Sequence, residues 1–380
     1  MGPSITDVTT TLRYLATGLV EWDSIEPDKR FQIPQSLRLG MSRMYATSRC
    51  VHASQTALTS KLVPTTLPEL FEWAASPIKS WEPAQALLII PENATLIEDG
   101  LVSDFAREWA LSGSDSIHQI QEALLADLKN FCERHQFEDS YRKARELIVT
   151  HPVLTVAQLR KKLDTKELVK VRDFFKLDEG FYRPVADLFG GIEYHLCPRC
   201  GYIQRLWEGN YVCRKRSCQT IVRQEKLKPI KGIPGEKINE WLAVTPGVHR
   251  YGTIPGIWEL SLRDELVNLG VGIKVTLYPQ VDRYDLLVEF PNSQKWAIDV
   301  KDWSYVTKER LLKVRYQTDV DATFVVFPDS NDLNIPAIRQ IKEFKPQALK
   351  GLQLKLVSEI IKQANKIIKK CEIQPHGTNP

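Results

Sequence analysis

Two stretches of this 380-residue chain concentrate side chains able to do chemistry. The first is CPRCGYIQRLWEGNYVCRKRSC, which carries Cys197, Cys200, Cys213 and Cys218 in the spacing C-x2-C-x12-C-x4-C. Such spacing lets each pair reach one ion from a tight turn. Gly201, just behind the first pair, lets the backbone curl so that amides support the thiolates. Four thiolates close a tetrahedral shell and leave no position for water, so the expected ion is a structural zinc. The second stretch is RYDLLVEFPNSQKWAIDVKDW, where apolar residues alternate with Asp285, Asp299 and Lys301.

Alternation of this kind belongs to half-buried strands, whose successive side chains point to opposite faces. PNSQK, Pro291 to Lys295, has turn chemistry, so the two runs are expected to form a hairpin. If Phe290 pairs with Trp296, then Leu287 faces Asp299 and Asp285 faces Lys301. The even positions, from Leu286 to Val300, are all apolar and make one buried face. The odd face gathers Asp285, Asp299 and Lys301, with Leu287 and Ala297 between them. Two neighbouring carboxylates repel unless something positive sits between them. A magnesium ion suits the place, because it prefers carboxylate oxygens and keeps several waters. Metal, activated water and a nearby ammonium are what phosphodiester hydrolysis requires. A surface salt bridge between Lys301 and Asp285 accounts for the same residues without chemistry, and the hairpin taken alone does not decide between the two.

Around these stretches, length predicts two or three domains. Hydrophobic residues at 43% and charged ones at 26% describe an ordinary globular chain. Net charge is only +4, so any nucleic-acid footprint must be local. No apolar run approaches the roughly 20 residues of a membrane span. No secretory signal is visible, which predicts a cytoplasmic protein without disulfides or membrane contact. Cys50, Cys132 and Cys371 stand alone.

Residues 1–180 read as mainly helical, with apolar residues three and four apart in SDFAREWALS, SIHQIQEALLADLKNFCERH (capped by Ser116) and DSYRKARELIVTH. Residues 155–175, TVAQLRKKLDTKELVKVRDFF, read as two short basic amphipathic helices. They are either a helix-turn-helix or winged-helix fragment that touches DNA, or a solvated face with its charges outward. The zinc ribbon spans 190–224, and the Pro-, Gly- and Lys-rich stretch 225–237 reads as a linker. From 238 to 373 the pattern becomes mixed. GIWELSLRDELVNLG is a helix closed by Gly270; GIKVTLYPQ, RYDLLVEF, KWAIDVKDW and ATFVVFPDS are strands; VTKERLLKVRYQ and LQLKLVSEIIKQANKIIKK are helices. The fold class is therefore multidomain α plus α/β, with a helical N-terminal region, a small zinc ribbon and a C-terminal α/β core. His249, in TPGVHRYGTIPG, is placed in a surface loop.

Positive charge collects in the ribbon, where Arg199, Arg205, Arg214, Lys215 and Arg216 are interleaved with Tyr202, Trp207 and Tyr211. That mixture suits a nucleic-acid backbone and exposed bases, and equally suits a soluble ribbon whose aromatics form its own small core.

Asp285 followed by Asp299-Val300-Lys301 on the next strand resembles the PD-(D/E)xK motif of restriction-endonuclease-like nucleases. The order helix, three strands, helix, strand over residues 255–330 is similar to that family's core. The resemblance covers about 100 of the 380 residues and departs from the pattern in having Tyr284, not proline, before Asp285. It implies that Asp285 and Asp299 bind magnesium, manganese substituting, with the Val300 carbonyl as a further ligand. It also implies that Lys301 positions the nucleophilic water, and that Glu259 of the preceding helix adds an acid to the metal site. Lys313, with Gln317 four residues on, is placed on a helix lining a DNA channel. The layout as a whole is similar to nucleases of prokaryotic defence islands that accompany a PIWI-like protein and a helicase. The implied function is a magnesium-dependent deoxyribonuclease acting on foreign DNA, possible as a homodimer. The alternative is a non-catalytic DNA-binding or scaffold protein that uses the ribbon as its contact.

Overall fold

The computed structural model describes residues 5–25, 32–52, 64, 66–81, 90, 94–98, 100–110, 117–177, 179–189, 194–207, 210–213, 215–228, 230–270, 272–303, 306, 311–329, 338, 342, 349 and 351–373. The chain divides into two compact units, 1–120 and 121–380.

In the first unit, helix Ile5–Ser24 buries Val8, Leu12, Leu15, Leu19 and Val20, the stripe that a 3.6-residue period places on one side. It packs on helix Gln35–His52 through two glycines. A Cβ on Gly18 would stand 2.3 Å from the Leu37 nitrogen, and one on Gly40 2.8 Å from Leu15. Helix Leu67–Ala74 starts at a capping box in which Thr66 and Glu69 satisfy each other's backbone amides. Strands β1 (Ile97–Glu98) and β2 (Leu101–Val102) form a short antiparallel pair ahead of helix Asp104–Trp109. Ser116, the expected cap of helix Ile117–His135, lies outside the described residues.

The second unit begins within helix Ile117–His135 and continues with helix Glu138–Thr150, strand β3 (Val153–Thr155), helix Val156–Leu163 and helix Lys166–Val169. A 3-10 turn, Arg172–Phe175, follows, then strand β4 (Tyr182–Pro184). The cysteine segment contributes β5 (Tyr194–Leu196), β6 (Arg205–Trp207), β7 (Asn210–Val212) and helix Arg216–Gln224. The stretch expected as a linker holds strand β8 (Ile230–Ile233), which pairs antiparallel with β5, so it is tied into the ribbon rather than free. Its Pro/Gly/Lys composition marked turns at both ends of a strand, not the absence of one. β9 (Trp241–Val244) then inserts between β3 and β4, antiparallel to both.

The C-terminal sheet has the order β10-β11-β12-β13-β14. Its strands are β10 (Lys274–Leu277), β11 (Leu286–Glu289), β12 (Lys295–Val300), β13 (Ala322–Phe327) and β14 (Leu352–Leu356). The first three pair antiparallel; β12, β13 and β14 run parallel. β14 corrects one expectation. LQLKL opens the stretch that was expected to be all helix, yet it forms a strand before helix Val357–Ile373. Its period-two alternation is the signal, masked by the long 3.6-residue pattern that follows. TPGVHRYGTIPG is not a loop: Pro246–Val248 and a π-helical turn, His249–Thr253, lead directly into helix Ile254–Val267. Residues 307–310 of the expected helix 306–317 lie outside the described residues. Leu311 and Leu312 are helical, but the chain turns at Lys313, so Lys313 and Gln317 do not share a helix face. Gln317 is buried, with its N–H donated to Thr323 Oγ1.

Candidate functional site

The β11–β12 hairpin carries the acids and the lysine. Its observed register pairs Leu286 with Ile298 and Val288 with Trp296, two residues away from the expected one. The turn is Phe290–Gln294, closed by the Phe290 N–H on the Gln294 carbonyl at 2.9 Å, and Lys295 already pairs with Glu289. A shift of two preserves the faces. Leu286, Val288, Phe290, Trp296, Ile298 and Val300 are all buried on one side, as expected. The shift changes which residues meet: one step beyond Leu286–Ile298, Asp285 comes level with Asp299 instead of Lys301.

Asp285 Oδ2 accepts the Val300 N–H at 2.6 Å. Lys301 Nζ lies 3.8 Å from Asp285 and 3.5 Å from Asp299. Their side chains are 11%, 13% and 23% exposed for Asp285, Asp299 and Lys301, so this is a recessed cluster, not a surface ion pair. The Lys301 N–H donates to the Val326 carbonyl at 2.8 Å, which continues the parallel ladder past the end of β12 and holds the lysine's backbone. Burial raises the pKa of both aspartates, with Lys301 pulling the other way. For Lys301, burial lowers the pKa, but Asp285 and Asp299 outweigh it and the net shift is upward.

Glu259 sits on helix Ile254–Val267 and is buried. Its carboxylate is claimed by two partners that the sequence had not indicated. Arg145 Nη2 stands 3.3 Å away, and the Tyr278 hydroxyl donates to the same oxygen. The Arg145 guanidinium also lies 5.0 Å from the Tyr278 ring centroid. Burial raises the pKa of Glu259, and Arg145 offsets part of that rise. Arg145 belongs to helix Glu138–Thr150, where Tyr141, Ala144 and Ile148 are buried at helical spacing. An arginine on that apolar stripe was the available signal.

Tyr278 opens a left-handed corner between β10 and β11, with φ of 48° at Tyr278, 53° at Gln280, 53° at Val281 and 65° at Asp282. Such angles cost a β-branched residue the most, and they persist only where surroundings impose them. Here the helical segment 117–150 does so. Lys129 Nζ and the Tyr141 hydroxyl both donate to Asp282, to its carbonyl and its Oδ2, each at 2.6 Å, and Arg142 Nε donates to the Leu277 carbonyl at 2.9 Å.

The four cysteines converge. Their sulfurs lie within 4.8 Å of one another, all are buried, and among the described residues no other group of three or more Cys, His, Asp or Glu does this. Cys200 and Cys213 Sγ are 3.7 Å apart. A tetrahedron of thiolates at about 2.3 Å from zinc has edges of about 3.8 Å, so the donor set fits that ion. Gly201 takes φ +69° and donates its N–H to the Cys197 carbonyl, and the Lys215 N–H points at Cys213 Sγ from 3.4 Å. The carboxylate cluster differs in kind. Asp285 and Asp299 supply two oxygen donors in a recess, a set that fits a magnesium ion completed by waters and a carbonyl.

The ribbon is docked, and its basic residues show how. Arg199 stacks over Trp258, the neighbour of Glu259, at 4.6 Å. Lys215 Nζ is 3.7 Å from Asp302, the neighbour of Lys301. Tyr202 is buried, stacked on His249 at 3.8 Å, with its hydroxyl on the Val244 carbonyl at 2.8 Å. His249 is thus a core residue, correcting its surface placement; the helix it unexpectedly belongs to turns it inward. The side chains of Arg205 and Arg216, and Arg214 altogether, lie outside the described residues, while Lys313 is exposed.

Residues 256–372 match the family described as REase associating with pPIWI_RE, REase abbreviating restriction endonuclease. Residues 11–155 match pPIWI_RE three-gene island domain Y. The chain thus matches a restriction-endonuclease-like protein of a PIWI-associated island. No curated protein and no solved structure matches it. Among the described residues no helix is long and apolar enough to cross a membrane.

Proposed function

We propose that this chain is a metal-dependent endonuclease that hydrolyses DNA phosphodiester bonds in defence against foreign DNA. The observation that carries the reading is the meeting of Asp285, Asp299 and Lys301 in one recess of a β-hairpin, inside the segment that matches a restriction-endonuclease family. Asp285 and Asp299 would hold magnesium, with manganese substituting, and the Val300 carbonyl would add a third protein ligand. The ion, when bound, offsets the negative charge that develops on the phosphate in the transition state. Lys301 donates hydrogen bonds that aim a water at phosphorus. The water oxygen bonds to phosphorus, one ester P–O bond breaks, the water's proton passes to solvent and the departing oxygen takes one up. Glu259 is committed to Arg145 and Tyr278, so we assign it to positioning the site rather than to the metal. A PIWI-like protein is the partner that both matched families point to, and a helicase is the further partner that the resemblance implies.

The test is cleavage of supercoiled plasmid and of single-stranded DNA with magnesium and then manganese, beside Asp299→Ala and Lys301→Ala. Cleavage that both substitutions abolish supports the reading. Cleavage that survives them sinks it. Absence of cleavage with the island's partners also present favours the non-catalytic scaffold.

A further inference from the structure

Residues 156–244 lie outside both matched segments, and with the helix before them they have a distinctive connectivity. A helix (Glu138–Thr150) leads into β3, then come two helices, then β4, a long excursion, and β9. The three strands lie in the order β3-β9-β4, antiparallel throughout. The first strand therefore pairs with the last, and the last with the second. Three helices with such a sheet, its first strand between the first and second helices, make a winged helix, in which the connection from second to third strand is the wing. Here that connection runs from Val185 to Glu240 and contains the four-cysteine ribbon.

Local chemistry agrees with the topology. Thr155 starts the second helix with a capping box to Gln158, and Thr165 caps the third only two residues after Leu163 ends the second. The pair packs inward through Leu159, Leu163, Leu168, Val171 and Phe175. Outward it carries charge. Asp164, Glu167 and Asp173 are matched by Arg172, Lys166 and Lys176, and Lys170 lies over Phe137. Arg160, Lys161 and Lys162 remain in the last turn of the second helix, and Arg160 and Lys161 are exposed. In the third helix and its cap, Val169, 51% exposed, has exposed Lys166 and Lys170 beside it in sequence. Residues 138–244 hold 21 Lys and Arg against 14 Asp and Glu, a net +7 that exceeds the +4 of the whole chain. The whole of that excess lies in the wing connection, residues 195–237, with 10 Lys and Arg against 3 Asp and Glu, while the rest of 138–244 is neutral and offers Arg160 and Lys161 as a local basic spot.

We propose that residues 138–244 are a duplex-DNA-binding module, a winged helix with the zinc ribbon as its wing, in which Arg160 and Lys161 contact phosphates. A helix with side chains is about 10–12 Å across and the major groove of B-DNA about 12 Å wide, so one helix of the pair fits it while the other reaches the phosphates. The deep, narrow major groove of duplex RNA does not admit such a helix. The module extends the nuclease reading and is separable from it, because binding needs no cleavage. It shares helix Glu138–Thr150 with the nuclease site, where Arg145 reaches Glu259.

The experiment uses the full chain with zinc retained and no magnesium. Binding of a labelled 20-base-pair DNA duplex is followed by fluorescence anisotropy at several salt concentrations. Arg160→Gln/Lys161→Gln is compared with the parent and with Lys362→Gln/Lys366→Gln, an equal loss of charge from exposed positions on the C-terminal helix. The first variant is expected to bind at least about tenfold more weakly at low salt, and its slope of log affinity against log salt to fall by about 2. The second is expected to keep the parent's affinity. Equal losses in both variants, no loss in the first, or equal affinity for an RNA duplex of the same sequence would overturn the proposal. A nuclease-inactive protein leaves this outcome untouched, since nothing is cut.

Discussion

Lys215 of the ribbon pairs with Asp302 of the nuclease-like core at 3.7 Å, the two side chains being 15% and 3% exposed. Asp302 follows Lys301, as Trp258, stacked under Arg199, precedes Glu259. The ribbon therefore grips both elements that bear on the site, the end of β12 and the helix Ile254–Val267. A buried pair of this kind is costly to break one side at a time. Asp302→Asn is expected to lower unfolding free energy by about 3 kcal/mol. The swap Lys215→Asp/Asp302→Lys is expected to recover part of that loss. Urea unfolding of the parent, Asp302→Asn, Lys215→Asp, Asp302→Lys and the swap measures the loss and the coupling, and strictly additive effects would mean that the two residues do not interact.

Arg145 and Glu259 form the second buried pair. Arg145→Met strands a buried carboxylate and is expected to destabilise the fold by about 3–5 kcal/mol. Arg145→Met/Glu259→Leu removes both charges and is expected to regain at least half. A double mutant no more stable than Arg145→Met would show that Arg145 supports the fold through packing and its stack on Tyr278 instead.

Zinc should be present at one ion per chain, measured by elemental analysis. Removing it is expected to leave most of the far-ultraviolet circular dichroism in place, because β3, β4, β9 and the C-terminal sheet hold no cysteine of the cluster. Hydrogen exchange is expected to speed up over 194–233 and at His249, which stacks on the ribbon's Tyr202. Unchanged exchange there after zinc removal would show that the ribbon holds its shape without the ion.

Cys132 is fully buried on helix Ile117–His135, and burial pushes its thiol up to about 11. The thiolate is the nucleophile, and at pH 7.5 almost none is present. Folded protein is expected to leave Cys132 unmodified by iodoacetamide while half-buried Cys371 reacts, with peptide mass spectrometry as readout. Prompt labelling of Cys132 would mean that the helix opens readily.

Much of the site was legible because its information is local. The cysteine spacing fixes which four sulfurs can share an ion, and period two fixes which face Asp285, Asp299 and Lys301 occupy even when the register is misjudged by two. The same reasoning failed at LQLKL and at TPGVHRYGTIPG, where a short signal lay beside a stronger or contrary one: a long helical pattern in the first, three glycines and two prolines in the second.

The amino-acid sequence by itself determined the four-cysteine cluster, the nuclease-like hairpin and the helices of the first half, since each depends on residues a few positions apart. Tertiary structure alone decided that Arg145, 114 residues before Glu259, would claim its carboxylate. It alone decided that β9 would close a sheet begun before the ribbon, and that Arg199 and Lys215 would face the core. Those outcomes rest on charges and strand edges that burial forces to find partners, and the nearest partner in space bears no fixed relation to distance along the chain.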